Sequence, residues 1–292
     1  MSYATLKLEF EGLSLSGVAA CGELSRSGPA TSAGSVRSLS PAEGALATIT
    51  LNRPEKRNAI STEMIEDLLA ALDEVEASAV RVVIVTGAGK AFCSGMDLDA
   101  LKAISSQSPE QYLEDCRRVA HLFRRLYSFP KPLIAAVNGP AIAGGCGIAT
   151  LCDFTLAAPE ARFGYSEVRI GFIPAIVSVF LIRQIGEKRA RDLLLTGRIL
   201  EAAEAHQIGL VTEVVPAGIL FDRARELATT LIAASPTSLL LTKRLLGHFC
   251  ESDLDRDLEL AIRENARSLS TADFREGLAS FLEKRKPVWR GK

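Results

Sequence analysis

The alternation of apolar and polar residues indicates strands near the N-terminus. Residues 5–10 alternate with a period of two, and residues 45–51 repeat the pattern, as expected for half-buried strands. Between them, residues 13–44 are rich in Ser, Gly and Ala and show little periodicity. A stretch of this composition buries too little apolar surface to offset its ordering entropy. We therefore predict a two-stranded hairpin that is interrupted by a long, flexible insertion.

The middle of the chain alternates short apolar runs with longer amphipathic segments. Residues 82–86, 133–137 and 154–158 are mostly apolar without alternation, which is typical of strands buried on both faces. Helical spacing of apolar residues follows Ser61, a candidate N-cap, and recurs over residues 109–128. Strand, turn and helix thus recur in order, which predicts an α/β core.

After about residue 175 the pattern is almost entirely helical, with breaks at Gly, Pro and polar residues. We therefore divide the chain into a core, residues 1–200, and a helical region, residues 201–292. The apolar faces of this region need surfaces to cover them, which favours a role in subunit packing. The predicted helices lie near 187–196, 201–207, 219–234, 236–250, 254–269 and 271–285.

Composition narrows the classes of function. The chain has 34 Lys and Arg against 35 Asp and Glu, so its overall charge favours neither nucleic acid nor an anionic membrane as a partner. No apolar run reaches the ~18 residues that span a bilayer, and the start lacks a secretory pattern. Three histidines and six cysteines without a Cys-x-x-Cys pair predict no metal site and no disulfide framework. Free thiols suit a cytoplasmic protein.

A glycine-rich turn is the first candidate for chemistry. Residues 138–147, Asn-Gly-Pro-Ala-Ile-Ala-Gly-Gly-Cys-Gly, follow a predicted strand and open a predicted helix. Free N–H groups and the helix dipole favour an anion there, whether a phosphate or an enolate. The alternative is that the glycines only allow close packing of the helix on the strand.

Two further segments contain candidate residues. Residues 91–98, Ala-Phe-Cys-Ser-Gly-Met-Asp-Leu, follow the strand predicted at 82–86. In residues 161–174, Glu167 is an acidic residue among mostly apolar and aromatic neighbours. It is either a general base whose pKa is tuned by its pocket, or a solvated loop residue.

Together the three segments resemble the crotonase superfamily of enoyl-CoA hydratases and isomerases. Their order, spacing and residue types match the two signature blocks of that family, and the similarity runs from about Asn52 to Arg285. The resemblance implies a spiral core of repeated ββα units, C-terminal helices for subunit packing, and a homotrimer or homohexamer. It implies an acyl-CoA thioester as substrate, with coenzyme A as part of that substrate and no separate cofactor. A Rossmann dehydrogenase is disfavoured, because no Gly-x-Gly-x-x-Gly follows the first strand.

The resemblance also implies roles for individual residues. Met96 and Gly144 match the positions whose backbone N–H groups form an oxyanion hole, and Glu167 matches the second of two catalytic glutamates. Contacts with coenzyme A are expected from a turn, from an early loop and from a tail position that reaches a neighbouring subunit. For the three cations among them, a role as solvated surface charges stays open. The expected contact residues are Ser94, Gly95, Asp97 and Leu98 of the turn, Lys56 and Arg57 of the loop, and Lys284 of the tail.

The chain departs from the family pattern at two places. Gly147 stands where typical hydratases have their first glutamate, so Glu167 would act alone. The resemblance then favours an isomerase, in which one glutamate removes the C2 proton and returns it at C4. Hydration, decarboxylation and non-catalytic binding or scaffolding by the same fold remain alternatives. Residues 174–180 are bulkier than the usual glycine-rich run and are expected to reshape the acyl pocket.

Overall fold

The fold is that of a computed structural model, which describes residues 3–12, 45–104, 107–250 and 252–291. The predicted insertion, residues 13–44, lies outside the described residues.

The N-terminal strands form the predicted hairpin. Strand β1 (Leu6–Glu11) runs antiparallel to strand β2 (Leu46–Leu51), with Leu6 opposite Leu51 and Glu11 opposite Leu46. The alternation in residues 5–10 therefore indicated both the element and its pairing.

The remaining strands build two sheets. They are β3 (Val82–Gly87), β4 (Leu133–Val137), β5 (Ala141–Ile142), β6 (Phe154–Ala157), β7 (Arg162–Gly164), β8 (Ile199–Glu201) and β9 (Glu213–Val214). In the main sheet the order is β1-β2-β3-β4-β6-β9, and every pair after β1-β2 is parallel. In the small sheet β5 runs parallel to β7, which pairs antiparallel with β8. Strands β5, β7, β8 and β9 were not expected, because two or three residues are too few to show a period.

Helices surround these sheets. The first predicted cap is present, since the Ser61 side chain accepts a hydrogen bond from the Met64 N–H. The α-helices of the described residues are α1 (Thr62–Ala77), α2 (Leu98–Ile104), α3 (Pro109–Tyr127), α4 (Gly144–Thr150), α5 (Ala175–Ile185), α6 (Glu187–Thr196), α7 (Ala202–Gln207), α8 (Leu220–Ala233), α9 (Pro236–Cys250), α10 (Leu254–Leu269) and α11 (Ala272–Leu282).

The main sheet is covered on both faces. Val82 and Ile84 of β3 belong to a cluster of buried apolar residues with α8, whereas Val83 and Val85 belong to the larger cluster that includes α1 and α3. This arrangement explains why β3 shows no alternation, as expected of a strand between two helical layers.

The C-terminal helices differ in what they cover. Helix α8 packs on the sheet of its own chain, and α10 packs against α3 and α5. Helix α9 buries none of its residues. Its Leu241, Leu245 and Phe249 are exposed and lie four residues apart, so they form one apolar stripe on a single face. Among these three helices, α9 best fits the expected role in subunit packing.

Candidate active site

The backbones of two motif segments, residues 91–98 and 138–147, approach each other closely. The Ile142 N–H donates a 2.9 Å hydrogen bond to the Cys93 carbonyl, beside a bridge between Cys93 and Ala141. Gly95 has a φ of 89°, and a Cβ there would lie 3.0 Å from the Ala143 Cβ and from the Ile142 carbonyl oxygen. Glycine at position 95 is therefore required for this approach.

The approach brings two unused backbone donors to one cavity. Residues next to Met96 are engaged with Ile60, which donates to the Gly95 carbonyl and accepts from the Asp97 N–H, both at 2.8 Å. The Met96 N–H itself donates to no other described residue, and neither does the N–H of Gly144, the first residue of α4. Met96 and Gly144 both line the cavity. Paired N–H groups of this kind can hold an oxyanion, and losing one such donor typically costs about 3–4 kcal/mol of barrier lowering.

Ala143 turns the chain into α4 at a strained conformation. Its φ of 52° and ψ of −126° are uncommon for a residue with a side chain. The Ala143 N–H donates a 2.7 Å hydrogen bond to the Gly164 carbonyl, which holds the turn in place. The strain thus lies directly before the candidate donor at Gly144.

Glu167 contributes a buried carboxylate to the same cavity. It begins a 3₁₀ turn (Glu167–Ile170), and its side chain is only 7% exposed. Its Oε2 atom is buried and has no hydrogen-bond partner among the described residues. Burial raises the pKa of Glu167 to about 7, against a smaller lowering by a backbone hydrogen bond. Near neutral pH this group can both accept and donate a proton.

The cavity has a volume of about 760 Å³, within the range of small-molecule sites. Its walls near the N–H pair are apolar, because Ile60 and Phe123 lie beside the Cα of Gly144. Neither residue was predicted to belong to the site. Phe123 is one of several buried apolar residues of α3, so its position in the sequence does not distinguish it. Pro174–Val177 also line the cavity, in agreement with the expectation that this bulky stretch shapes the pocket.

Of the residues expected to contact coenzyme A, three line the cavity with exposed or half-buried side chains. These are Lys56, Arg57 and Ser94. Lys56 Nζ lies 3.0 Å from Asp99 Oδ2, and the Arg57 carbonyl accepts a hydrogen bond from the Ser94 N–H. The loop and the turn thus form one rim of the cavity.

The other four expected contacts are placed differently. Asp97 lines the cavity, but its carboxylate forms a 2.7 Å ion pair with Arg53 and accepts from the Asp99 N–H. It therefore fixes the turn, and Arg53, two residues after the end of β2, was not predicted as part of the site. Gly95 acts through the backbone approach described above, and Leu98 begins α2. Lys284 is exposed after α11 and is not among the described residues that line this cavity.

A side chain at position 147 would be tightly packed and would require its neighbours to shift by a few tenths of an ångström. A Cβ at Gly147 would lie 3.0 Å from Phe123 Cε2 and from Val177 Cγ1. An aromatic ring and a valine thus occupy the space that a longer residue would enter. Among the acidic residues described along the cavity, Glu167 is the one that is both buried and unpaired.

Two features are absent from the described residues. These residues contain no group of three or more His, Cys, Asp or Glu residues that could hold a metal ion. They also contain no helix that is long and apolar enough to cross a membrane.

Comparison with known proteins agrees with this geometry. A sequence model of the enoyl-CoA hydratase/isomerase family matches residues 41–292. A candidate enoyl-CoA hydratase of Thermus thermophilus is 47% identical over 246 residues, which cover 84% of this chain and 97% of that protein. The short-chain-enoyl-CoA hydratase of Clostridium acetobutylicum is 35% identical over 247 residues, which cover 84% of this chain and 94% of that protein. The crystal structure of an enoyl-CoA hydratase/isomerase from Xanthobacter autotrophicus superposes with a TM-score of 0.76 at 35% identity, covering 82% of this chain and 94% of that one.

The fold is thus the expected crotonase-like α/β core with a helical C-terminal region. The chain belongs to the enoyl-CoA hydratase/isomerase family of the crotonase superfamily.

Proposed function

We propose that this protein transfers a proton at the α-carbon of an enoyl-CoA thioester, with Glu167 as the acid and base. The observation that carries the proposal is the buried Glu167 carboxylate, whose Oε2 has no partner among the described residues, in one cavity with the free N–H groups of Met96 and Gly144. A carboxylate without a partner is costly to bury, and a substrate proton is the partner it lacks.

The residues support a double-bond shift in two proton transfers. The Glu167 carboxylate removes a proton from C2 of a 3-enoyl thioester, and the electron pair moves onto the thioester oxygen. The N–H groups of Met96 and Gly144 stabilise that enolate. The protonated Glu167 then returns the proton at C4, the double bond forms between C2 and C3, and the carboxylate is regenerated. A pKa of about 7 suits a group that must act as base and then as acid.

Isomerisation is favoured over hydration by the surroundings of Gly147. Hydration of a 2-enoyl thioester needs a water held for attack at C3, and the space beside Gly147 is occupied by Phe123 and Val177. Hydration remains the second candidate, because the relatives from Thermus thermophilus and Clostridium acetobutylicum are named as hydratases. In that reaction Glu167 would itself activate the water and then protonate C2.

We also propose which residues contact coenzyme A and which surface packs between subunits. Lys56, Arg57 and Ser94 on the cavity rim would contact coenzyme A. The exposed stripe of α9 would pack between subunits of a homotrimer or homohexamer, where Lys284 would reach the coenzyme A of a neighbour.

The test is a comparison of 3-hexenoyl-CoA with crotonyl-CoA on the purified protein, with products identified by mass spectrometry. Faster conversion of 3-hexenoyl-CoA to the 2-enoyl thioester supports the isomerase, whereas faster hydration of crotonyl-CoA supports the second candidate. In both cases Glu167→Gln should lose about 10²–10⁴-fold in turnover, the usual share of general acid–base catalysis. Tight binding of both thioesters without turnover would instead identify a non-catalytic binding protein.

A further inference from the structure

The cavity extends well beyond the groups used in proton transfer. Phe123, Val119 and Cys116 of α3 line it in succession, and Phe123 lies beside Gly144. Seven residues of helix separate Phe123 from Cys116, which places Cys116 roughly 10 Å from Phe123 along the axis of α3. Because three bonds of an extended chain span about 3.3–3.6 Å, this distance equals roughly nine bonds of an acyl chain.

A buried amide stands at this far part of the cavity. Asn265 of α10 lines the cavity and is 7% exposed, and its Nδ2 donates to Cys116 Sγ at 3.4 Å. Its Oδ1 is buried without a hydrogen-bond partner among the described residues. Burial raises the pKa of Cys116 to about 11, so this neighbour remains an uncharged thiol. The amide therefore has one buried hydrogen-bonding group left over in the wall of the pocket.

Packing alone does not account for an amide at this position. Most other buried residues of α10 are apolar, including Ala261, Ile262 and Leu269, and the buried Ser268 hydroxyl is satisfied by the Asn265 backbone carbonyl. A leucine at position 265 would continue the buried face of α10 without leaving a buried polar atom unsatisfied. Buried polar groups normally have a partner, and the cavity is where a partner for Asn265 can enter.

The charge of this region selects the kind of partner. Asp115 and Arg118 also line the cavity, and they neutralise each other in an ion pair of 3.6 Å. At this far part of the cavity, the described residues Asp115 and Arg118 thus offer no surplus positive charge to a carboxylate on the ligand. A hydroxyl group both donates and accepts, so it pairs with Asn265 whichever way the amide is turned.

We infer that the acyl pocket accepts a medium-length enoyl chain with a hydroxyl group near its far end, and that Asn265 recognises this hydroxyl. The inference rests on the proposed function, since it takes the thioester to lie at Met96 and Gly144. It adds a substrate class, hydroxylated acyl chains, and a residue that determines specificity.

The experiment compares ω-hydroxydecenoyl-CoA with decenoyl-CoA and with the ω-carboxylated chain of equal length. For the wild-type protein we expect kcat/KM to be about tenfold higher for the hydroxylated chain than for either other chain, which is the size of one hydrogen bond. Asn265→Leu should abolish this preference, so that kcat/KM of the variant is the same for the hydroxylated chain and for decenoyl-CoA. The control is Ser268→Ala on the same helix, because the Ser268 hydroxyl is buried and bonds the Asn265 backbone carbonyl, not the amide. It should keep the preference.

A binding measurement separates this inference from the proposed reaction. Calorimetric titration with saturated ω-hydroxydecanoyl-CoA and decanoyl-CoA needs no turnover, so a preference for the hydroxylated chain would support the pocket assignment even if no reaction is catalysed. Equal affinity for the two saturated chains, a preference for the carboxylated chain, or an unchanged preference in Asn265→Leu would overturn it. If Asn265→Leu does not fold, the wild-type preference decides the outcome.

Discussion

Replacing Glu167 with glutamine should stabilise the fold at alkaline pH while it removes proton transfer. The carboxylate is buried, and its charged form is disfavoured there because a backbone hydrogen bond compensates only part of the lost hydration and Oε2 has no partner among the described residues. Glutamine is nearly isosteric and never charged. The group proposed to act on substrate is thus also a source of instability in the free protein.

The magnitude follows from the pKa. Folding raises the pKa of Glu167 from 4.5 to about 7. A difference of about 2.5 units at 1.36 kcal/mol each corresponds to roughly 3 kcal/mol. Between these two values the folded protein binds more protons than the unfolded chain, so stability falls as pH rises. The contribution is fully present below pH 4.5 and is lost above pH 7.

The assay is urea unfolding of wild type and Glu167→Gln at intervals from pH 4 to pH 8. We expect the free energy of unfolding of wild type, minus that of the variant, to fall by about 3 kcal/mol across this range. Glu66→Gln, at an exposed position of α1, controls for the loss of a surface carboxylate. In parallel, kcat/KM of wild type for a 3-enoyl thioester should rise as pH increases through about 7, when the carboxylate form becomes dominant.

A difference between wild type and variant that stays constant with pH would refute the reasoning, because it would mean that Glu167 titrates alike in the folded and unfolded states. Full turnover in Glu167→Gln would separately refute its role as the base.

Three further predictions concern packing and assembly. Gly147→Glu should raise the ratio of hydration to isomerisation only when Val177→Ala makes room for it, and product analysis of the single and double variants checks this. Deleting residues 13–44 leaves Gly12 and Ala45 as a two-residue hairpin loop between paired strands, so the melting temperature and turnover should stay nearly unchanged; a collapse of either would show that the segment contributes to the fold or site. Leu245→Glu places a charge in the exposed stripe of α9, and light scattering should then report a smaller species than wild type.

The sequence alone determined the elements whose pattern is local. The buried runs at β3 and β4, the capped helix after Ser61 and the glycine-rich entry to α4 depend on residues only a few positions apart. Their side-chain periodicity and N–H geometry are set by the backbone itself. The resemblance of the motif segments to the crotonase superfamily also predicted Glu167, Met96 and Gly144 as residues of one site.

Only the tertiary structure decided how these elements act together. The pKa of Glu167 depends on burial by residues distant in sequence, and the environment of Gly147 depends on Phe123 and Val177 from two other helices. Asn265 reaches Cys116 across 149 residues of chain, so no local pattern could assign it to the cavity that it lines. Burial, charge pairing and cavity shape arise from such long-range contacts, and a periodic pattern along one element contains no information about them.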